Sequence, residues 1–276
     1  TCDVEALRQW GLPALEQGGL APDVTAELLV VLAAHGDETA IERAFAAAVD
    51  ASDPALTAAL LERVTELPGD VSTPLVQAVI GAPGIAGTTR VQAFQALSDI
   101  DTPEAASLLL GFAGTREAES EREAAAEALS TMAEADVPAT LLAGAILRES
   151  AATVRTQLYD TMLAISNPEP DALLPVIRQE QDTQARVSAL FAAGTLIGMG
   201  EANTSMEQFF RDEALPELES AALNLDLSAE SRLRAISALR NARTAEAQTA
   251  LQRLAQSQDS LVRTAASRPV HARRPN

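Results

Sequence analysis

Residues 89–97 read Thr89-Arg-Val-Gln-Ala-Phe-Gln-Ala-Leu97, and this stretch decides the fold because its pattern recurs along the chain. Each full copy has a small or apolar residue three positions after an Arg and a pair of small or apolar residues at six and seven positions. The register arginines are Arg90, Arg122, Arg155, Arg186, Arg232 and Arg263. They are 32, 33, 31, 46 and 31 residues apart, and such a near-constant period is typical of a repeat protein.

A second feature repeats in the same register. Twelve residues after three of the arginines, the motifs Thr102-Pro-Glu, Asn167-Pro-Glu and Thr244-Ala-Glu have the capping side chain and early carboxylate that favour a helix N-terminus. A leucine follows four of the arginines by nineteen residues: Leu109, Leu141, Leu174 and Leu251. Apolar residues at helical spacing predict two helices per repeat, which bury their apolar stripes by stacking on the next pair. The predicted fold is therefore all-α.

These stretches resemble the short HEAT-like repeats of the phycobilisome-lyase type, and Ala185-Arg-Val-Ser-Ala-Leu190 and Ser231-Arg-Leu-Arg-Ala-Ile236 follow the same pattern. The resemblance covers roughly residues 86–268. It implies a right-handed α-α superhelix, a HEAT-like solenoid, and a role in protein–protein contact. It does not imply lyase activity, because many unrelated proteins share the scaffold.

The chain is expected to have three parts. Degenerate helical hairpins that act as an N-terminal cap are predicted over 1–85, HEAT-like repeats over 86–268, and a basic tail over 269–276. The long spacing between Arg186 and Arg232 implies an insertion of about 14 residues, which we place near 198–213. Insertions in solenoids map to one face and often contact partners.

Charge is distributed unevenly along the chain. The net charge is −19, which argues against general nucleic-acid binding, and all 20 basic residues are Arg. Residues 1–227 hold 36 acids against 11 Arg, whereas 228–276 hold nine Arg against three acids. This polarity favours oriented docking or head-to-tail contact, with a solvated basic tail as the alternative. We expect a protein partner, and the acidic charge favours a basic one.

The register arginines could form a ladder of ligand-binding groups, but a structural role is favoured. Asp182 and Asp259 lie four residues before Arg186 and Arg263, where each carboxylate would cap the same helix and pair with its Arg. The resemblance to HEAT-like repeats implies that this Arg bonds an acidic residue at the turn between repeats.

Two clusters are candidate partner-binding residues. An acidic run that includes Glu119 and Glu123 would suit a basic partner, with a solvated helix face as the alternative. A second acidic run covers residues 207–219. Met206, Phe209 and Phe210 would anchor an interface if they were exposed, and would otherwise be part of the core.

No catalytic constellation is recognisable in the sequence. Gly81-x-x-Gly84 lacks the Lys of a phosphate-binding loop, and Cys2 has no neighbouring His. His35 and His271 lack the His-Glu pairing of the di-iron hydroxylases that are built on similar repeats. We therefore expect a protein-binding scaffold that is not an enzyme and has no cofactor or metal.

Two alternatives remain open. One is a lyase or chaperone-like subunit that handles a small cofactor such as a bilin, which would need an apolar pocket with a few converging polar groups. The other is a structural segment of a larger protein. Because the chain starts at Thr1 rather than Met, we expect it to be processed or excised, and Cys2 lies where a lipid anchor would attach. No apolar run reaches the ~18–20 residues of a membrane span, and the compartment stays open.

Overall fold

The computed structural model describes residues 20–34, 53–114, 118–132 and 137–268, with single positions between 9 and 14 and between 42 and 48. Helices dominate these ranges, and they contain no β-strand of two or more residues. The chain divides into two compact units, Thr1–Asp136 and Val137–Asn276. The prediction of an all-α fold built from paired helices is confirmed, whereas the predicted tail at 269–276 lies outside the described residues.

The first unit is built of two helical layers. Its helices with described bounds are α1 (Pro22–Ala34), α2 (Pro54–Val64), α3 (Gly69–Gly81), α4 (Gly87–Ile100), α5 (Pro103–Ala113) and α6 (Glu119–Thr131). Helices α1, α2, α4 and α6 pack side by side in one layer, and α3 and α5 form the second layer. The pair α4 and α5 is the predicted repeat that starts at Arg90.

The second unit follows the same plan. Its helices are α7 (Ala139–Arg148), α8 (Ala152–Thr161), α9 (Pro170–Gln179), α10 (Thr183–Met199), α11 (Thr204–Phe209), α12 (Leu215–Leu223), α13 (Ala229–Ala242), α14 (Ala245–Leu254) and α15 (Ser260–Ala266). Helices α8, α10, α13 and α15 form one layer, and the others form the second layer. None of the described helices in either unit combines the length and apolarity needed to cross a bilayer.

Side-chain caps set where several helices begin. Thr102 Oγ1 accepts a hydrogen bond from the Ala105 amide at 3.2 Å, and Thr244 Oγ1 accepts one from the Ala247 amide at 3.1 Å, as their motifs predict. The third motif behaves differently. Helix α9 begins at Pro170, with Glu169 at the N-cap, so Asn167 precedes the helix. The reason is that proline at the first helical position loses no needed hydrogen bond.

Small side chains bring α10 and α13 of the second unit into backbone contact. A Cβ built on Gly194 would lie 2.7 Å from the Ala238 carbonyl oxygen, and one built on Gly198 would lie 1.7 Å from the Asn241 carbonyl oxygen. Asn241 also donates to Thr195 Oγ1 at 3.0 Å. Glycine is therefore required at both positions, because only a residue without a Cβ permits this approach.

The extra residues between Arg186 and Arg232 are helical. Helix α10 has 17 residues, and a π-helical turn at Phe210–Ala214 joins α11 to α12 without a break. In the repeat at Arg90, by comparison, α4 and α5 have 14 and 11 residues. The insertion therefore lengthens both helices of its repeat instead of forming a loop, and the π turn accommodates an extra residue in the second helix.

Candidate functional site

Arg90, Arg155 and Arg232 bond carboxylates in the next repeat or at the turn to it, and Arg186 bonds one on the second helix of its own repeat. The ion pairs are Arg90–Glu121 at 2.9 Å, Arg155–Glu180 at 2.7 Å, Arg186–Glu217 at 2.7 Å and Arg232–Asp259. Three of the guanidinium groups also donate to main-chain carbonyl oxygens at the end of the preceding helix: those of Glu149 and Ser150 for Arg155, Ile177 for Arg186 and Ala222 for Arg232. These arginines are therefore engaged within the fold.

Asp182 and Asp259 do not pair with the arginines on their own helices. Asp182 accepts hydrogen bonds from the amides of Gln184 and Ala185 at 2.9 and 3.0 Å, as an N-cap. Asp259 caps α15 in the same way and pairs with Arg232. The expected pairing at four residues is wrong, because each capping carboxylate turns toward the first amides of its helix.

Among the described residues, Arg155 and Glu180 form the most buried ion pair, and Tyr159 bonds to the same carboxylate. Arg155 donates to the Glu180 carboxylate from Nε and Nη2 at 2.7 and 2.9 Å, and the Tyr159 hydroxyl donates to it at 3.1 Å. Burial opposes the charge on Glu180, but the hydrogen bonds outweigh burial and hold its pKa below the ordinary value. Burial and the neighbouring Glu180 carboxylate raise the pKa of Tyr159. The polar groups of this cluster satisfy one another's hydrogen bonds, and the cluster links neighbouring repeats.

A groove of about 370 Å³ lies beside the register arginines of the second unit. Its lining includes Arg178, Arg186, Glu217 and Leu227. The guanidinium carbons of Arg178 and Arg186 lie 5.2 and 5.8 Å from the centroid of the Phe209 ring. Arg186 pairs with Glu217, and Arg178 pairs with Glu213 at 2.9 Å. The charges around this groove therefore neutralise one another.

The structure buries Met206, Phe209 and Phe210. Their side chains are 0%, 0% and 2% exposed, so of the two alternatives for this cluster the core is the one observed. Helical spacing, continued by the π turn, turns all three side chains inward. They offer no exposed anchor to a partner, and the speculative assignment of a binding role to them is not supported.

Both acidic runs contain carboxylates that pair with arginines. In the second run, Glu213, Glu217 and Glu219 pair with Arg178, Arg186 and Arg253 respectively. In the first run, Glu121 pairs with Arg90, and Glu119 and Glu123 lie on the same helix, α6, the former exposed and the latter half-buried. The second run thus serves mainly to connect helices.

A wider groove, of about 710 Å³, lies between α3 and α5 in the first unit. Pro74, Pro103 and Leu108 form its apolar part, and Asp70 and Glu104 line it from the first turns of the two helices. Neither carboxylate forms an ion pair with any residue that the structure describes. This groove therefore carries uncompensated negative charge.

Several hydrogen-bond acceptors line the α3–α5 groove beside its apolar walls. Because Pro74 has no amide hydrogen, the Asp70 carbonyl oxygen lacks its ordinary helical donor. Thr73 lines the groove, is 6% exposed, and has a buried hydroxyl with no hydrogen-bond partner among the described residues. With the two carboxylates, these groups favour a positively charged ligand that donates hydrogen bonds.

The sequence analysis missed this groove. Its signal was an Asp followed four residues later by a Pro within a helix, which occurs at Asp70 and Pro74 and again at Asp171 and Pro175. No group of three or more His, Cys, Asp or Glu side chains in the described ranges could hold a metal ion. Cys2, His35 and His271 lie outside those ranges.

Comparison with solved structures finds chains of similar helical fold. No family model matches the sequence, and no curated protein matches it. A solved structure of human deoxyhypusine hydroxylase in complex with glycerol is similar, with a TM-score of 0.35 and 18% sequence identity. The match covers 88% of this chain and 86% of that one. At this level the likeness concerns the helical fold only.

This likeness corrects one expectation. The sequence analysis expected a chain that is not an enzyme, whereas the similar structure belongs to a hydroxylase. The likeness assigns no activity, substrate or residue role to this protein.

Proposed function

We propose that this chain is a HEAT-like repeat protein that binds a basic partner protein through its first unit. The observation that carries the proposal is the division of charge between the units. Thr1–Asp136 contains 23 Asp and Glu against six Arg, a net charge of −17, whereas Val137–Asn276 contains 16 against 14, a net charge of −2. A surface of one sign attracts and orients a partner of the opposite sign.

The pairing of the charges supports the same assignment. In the second unit, arginines bind carboxylates across neighbouring helices, as in Arg178–Glu213, Arg186–Glu217 and Arg253–Glu219. In the first unit, Asp70 and Glu104 have no such partner among the described residues. Carboxylates that the fold leaves unpaired can bind the cations of another protein without first breaking an internal ion pair.

The test compares two matched sets of neutralising substitutions in the full chain. The probe is an unstructured, fluorescently labelled arginine-rich peptide, and binding is followed by anisotropy at low and moderate salt. The first-unit set is Asp70→Asn, Glu104→Gln, Glu119→Gln and Glu123→Gln. The second-unit control set is Glu207→Gln, Asp212→Asn, Glu230→Gln and Glu246→Gln.

The first-unit set should weaken binding at least about tenfold, because four attractive charges are removed, and added salt should weaken binding to the unaltered chain. The control set should have little effect. Equal losses from both sets, or no saturable binding at low salt, would show that the first unit is not a docking surface for basic proteins.

One observation favours a second function, the handling of a small molecule. The α3–α5 groove has a volume in the range typical of small-molecule sites and combines apolar walls with a few polar groups. The lyase-like alternative predicts that a linear tetrapyrrole binds here and shifts its absorption spectrum. Leu108→Trp, which would fill the groove, should abolish that shift, and a spectrum unchanged on mixing would remove this alternative.

A further inference from the structure

Helices α3 and α9 are equivalent elements of the two units. Aligned on Asp70 and Asp171, both have a proline four residues later, Pro74 and Pro175. The burial pattern also agrees, since Ser72, Thr73, Leu75 and Val76 are buried in α3, and Leu173, Leu174, Val176 and Ile177 are buried in α9. The N-caps of the next helices in the layer, Thr102 and Asn203, each follow the aspartate by 32 residues. The helical framework of the groove and its aspartate are therefore present twice, although Ser205 stands at the position of Glu104.

In the second unit the protein's own side chains bind the groups that correspond to this site. The Asn203 amide donates to the Asp171 carboxylate at 2.7 Å. Arg178, seven residues after Asp171, lies over the Phe209 ring and donates to Glu213 at 2.9 Å. An internal amide thus binds the aspartate, and an internal guanidinium lies two turns further along the same helix.

In the first unit each of these closing groups is replaced. Thr102 stands at the position of Asn203, and its hydroxyl accepts from the Ala105 amide, so it supplies no amide donor to Asp70. Gln77 and Leu108 stand at the positions of Arg178 and Phe209. The buried Thr73 stands where the second unit has the apolar Leu174, and its hydroxyl has no hydrogen-bond partner among the described residues. The result is an open groove whose carboxylates lack a cation.

We propose that the α3–α5 groove binds an arginine side chain from an extended segment of the partner, in place of the internal donors that close the second unit. The guanidinium group would donate to Asp70 and Glu104, and the flanking residues of the segment would lie on Pro74, Pro103 and Leu108. Arginine fits better than lysine because its planar group presents five N–H donors to a site rich in acceptors. This inference rests on the proposed function and names its site.

The test uses an acetylated Pro-Arg-Pro amide and its citrulline analogue, which keeps the shape of the side chain and removes its charge. Amide chemical shifts of the full ¹⁵N-labelled chain report where each peptide binds. The arginine peptide should shift the amides of Asp70, Gln77 and Ser107, and the citrulline peptide should bind at least about tenfold more weakly, since it loses the charge-assisted hydrogen bonds. Equal binding of both peptides, or shifts confined to other residues, would overturn the proposal.

Two variants close the groove by copying the second unit. Thr102→Asn should place an amide on Asp70 as Asn203 does on Asp171, and Gln77→Arg combined with Leu108→Phe should supply the internal cation and its ring. Each should reduce arginine-peptide binding about tenfold or more, whereas the control Glu127→Gln, on the exposed face of α6, should not. Because Asn is a good N-cap, Thr102→Asn is expected to keep the fold, which a melting curve checks.

The outcomes separate this inference from the proposed function. If Thr102→Asn binds the arginine peptide as the unaltered chain does, the groove assignment fails. The proposed function survives that result if the first-unit neutralisation set still weakens the longer arginine-rich peptide. If neither peptide binds saturably at low salt, both proposals fail.

Discussion

The two units use the same helical scaffold but satisfy their charges differently. In the second unit, Asp171 and Arg178 have partners on the neighbouring helix, Asn203 and Glu213. In the first unit, Asp70 occupies the position of Asp171 without a described partner. A repeat protein can thus hold one copy of a site closed as structure and leave another copy open for a ligand, with only a few side chains changed.

The charge balance of the units follows from this difference. The second unit, with a net charge of −2, matches its acids with arginines that join helices, whereas the first unit has an excess of 17 negative charges. An excess of one sign costs some stability through repulsion, and it is retained where it contributes to solubility or to association.

The largest expected effect is on the packing of the second unit. Gly198→Ala should lower the free energy of unfolding by about 3 kcal/mol or more, because the new Cβ would lie 1.7 Å from the Asn241 carbonyl oxygen and the two backbones must separate. Urea unfolding followed by circular dichroism measures the loss. A Gly198→Ala variant as stable as the unaltered chain would contradict the close contact of α10 and α13.

The matched control lies in the first unit. A Cβ on Gly111 of α5 would meet no atom within 4 Å, so Gly111→Ala should raise the free energy of unfolding by up to about 1 kcal/mol through helix propensity alone. Opposite signs for the two glycine substitutions would show that contact, and not glycine content, decides the outcome.

A smaller loss of stability is expected from a change in the buried ion pair of Arg155 and Glu180. Glu180→Gln removes the charge that pairs with Arg155, at a site where the glutamate side chain is 3% exposed and that of the arginine 15%. The free energy of unfolding should fall by about 2–3 kcal/mol, because the guanidinium keeps its carbonyl partners but loses a carboxylate. Urea unfolding measures this too. Arg63→Gln, which breaks an exposed pair in the first unit, should change the free energy of unfolding much less than Glu180→Gln does.

The same ion pair predicts how the stability of the protein depends on pH. The folded state holds the pKa of Glu180 below its ordinary value, because Arg155 and Tyr159 bind the ionised form despite burial. The resulting stability is fully present above the ordinary carboxyl pKa of about 4.3 and is lost as the pH falls through the lower folded pKa. The melting temperature of Glu180→Gln should therefore fall less steeply below about pH 4.5 than that of the unaltered chain. Parallel curves would contradict this assignment.

The sequence predicted those features that repeat locally. The arginine register located the helix pairs, and Thr102 and Thr244 located two helix starts, because a cap acts on amides two or three residues away. It mispaired Arg186, whose carboxylate partner Glu217 lies 31 residues along the chain, on the second helix of the same repeat. Which residues meet across a layer depends on helix lengths, which the register alone does not give.

The groove was hidden from the sequence for another reason. An open site is defined by contacts that are absent, and the sequence gives no direct sign of an absent contact. The meaning of Thr102, Gln77 and Leu108 becomes clear only from alignment with their counterparts in the second unit, which are Asn203, Arg178 and Phe209. The inward orientation of Met206 and Phe210 was equally undecided, because helical spacing places residues on one face without saying which face is covered. Alignment of the two units identifies the groove, and the burial of side chains in the structure gives the orientation of Met206 and Phe210.

The smallest effect on stability is expected from removing Arg178, which in the second unit stands at the position of Gln77 in the α3–α5 groove. Arg178→Gln, which introduces the residue found at position 77, breaks an ion pair whose partners are 48% and 51% exposed, so the free energy of unfolding should change by less than about 1 kcal/mol. Its effect on binding is the sharper measure. The substitution frees Glu213 and uncovers the Phe209 ring while Asn203 still holds Asp171, so the arginine peptide should shift amides near Glu213 only weakly. Adding Asn203→Thr should free Asp171 and strengthen that binding. If the double variant binds no more strongly than Arg178→Gln alone, the side chains at positions 178 and 203 do not decide which copy is open.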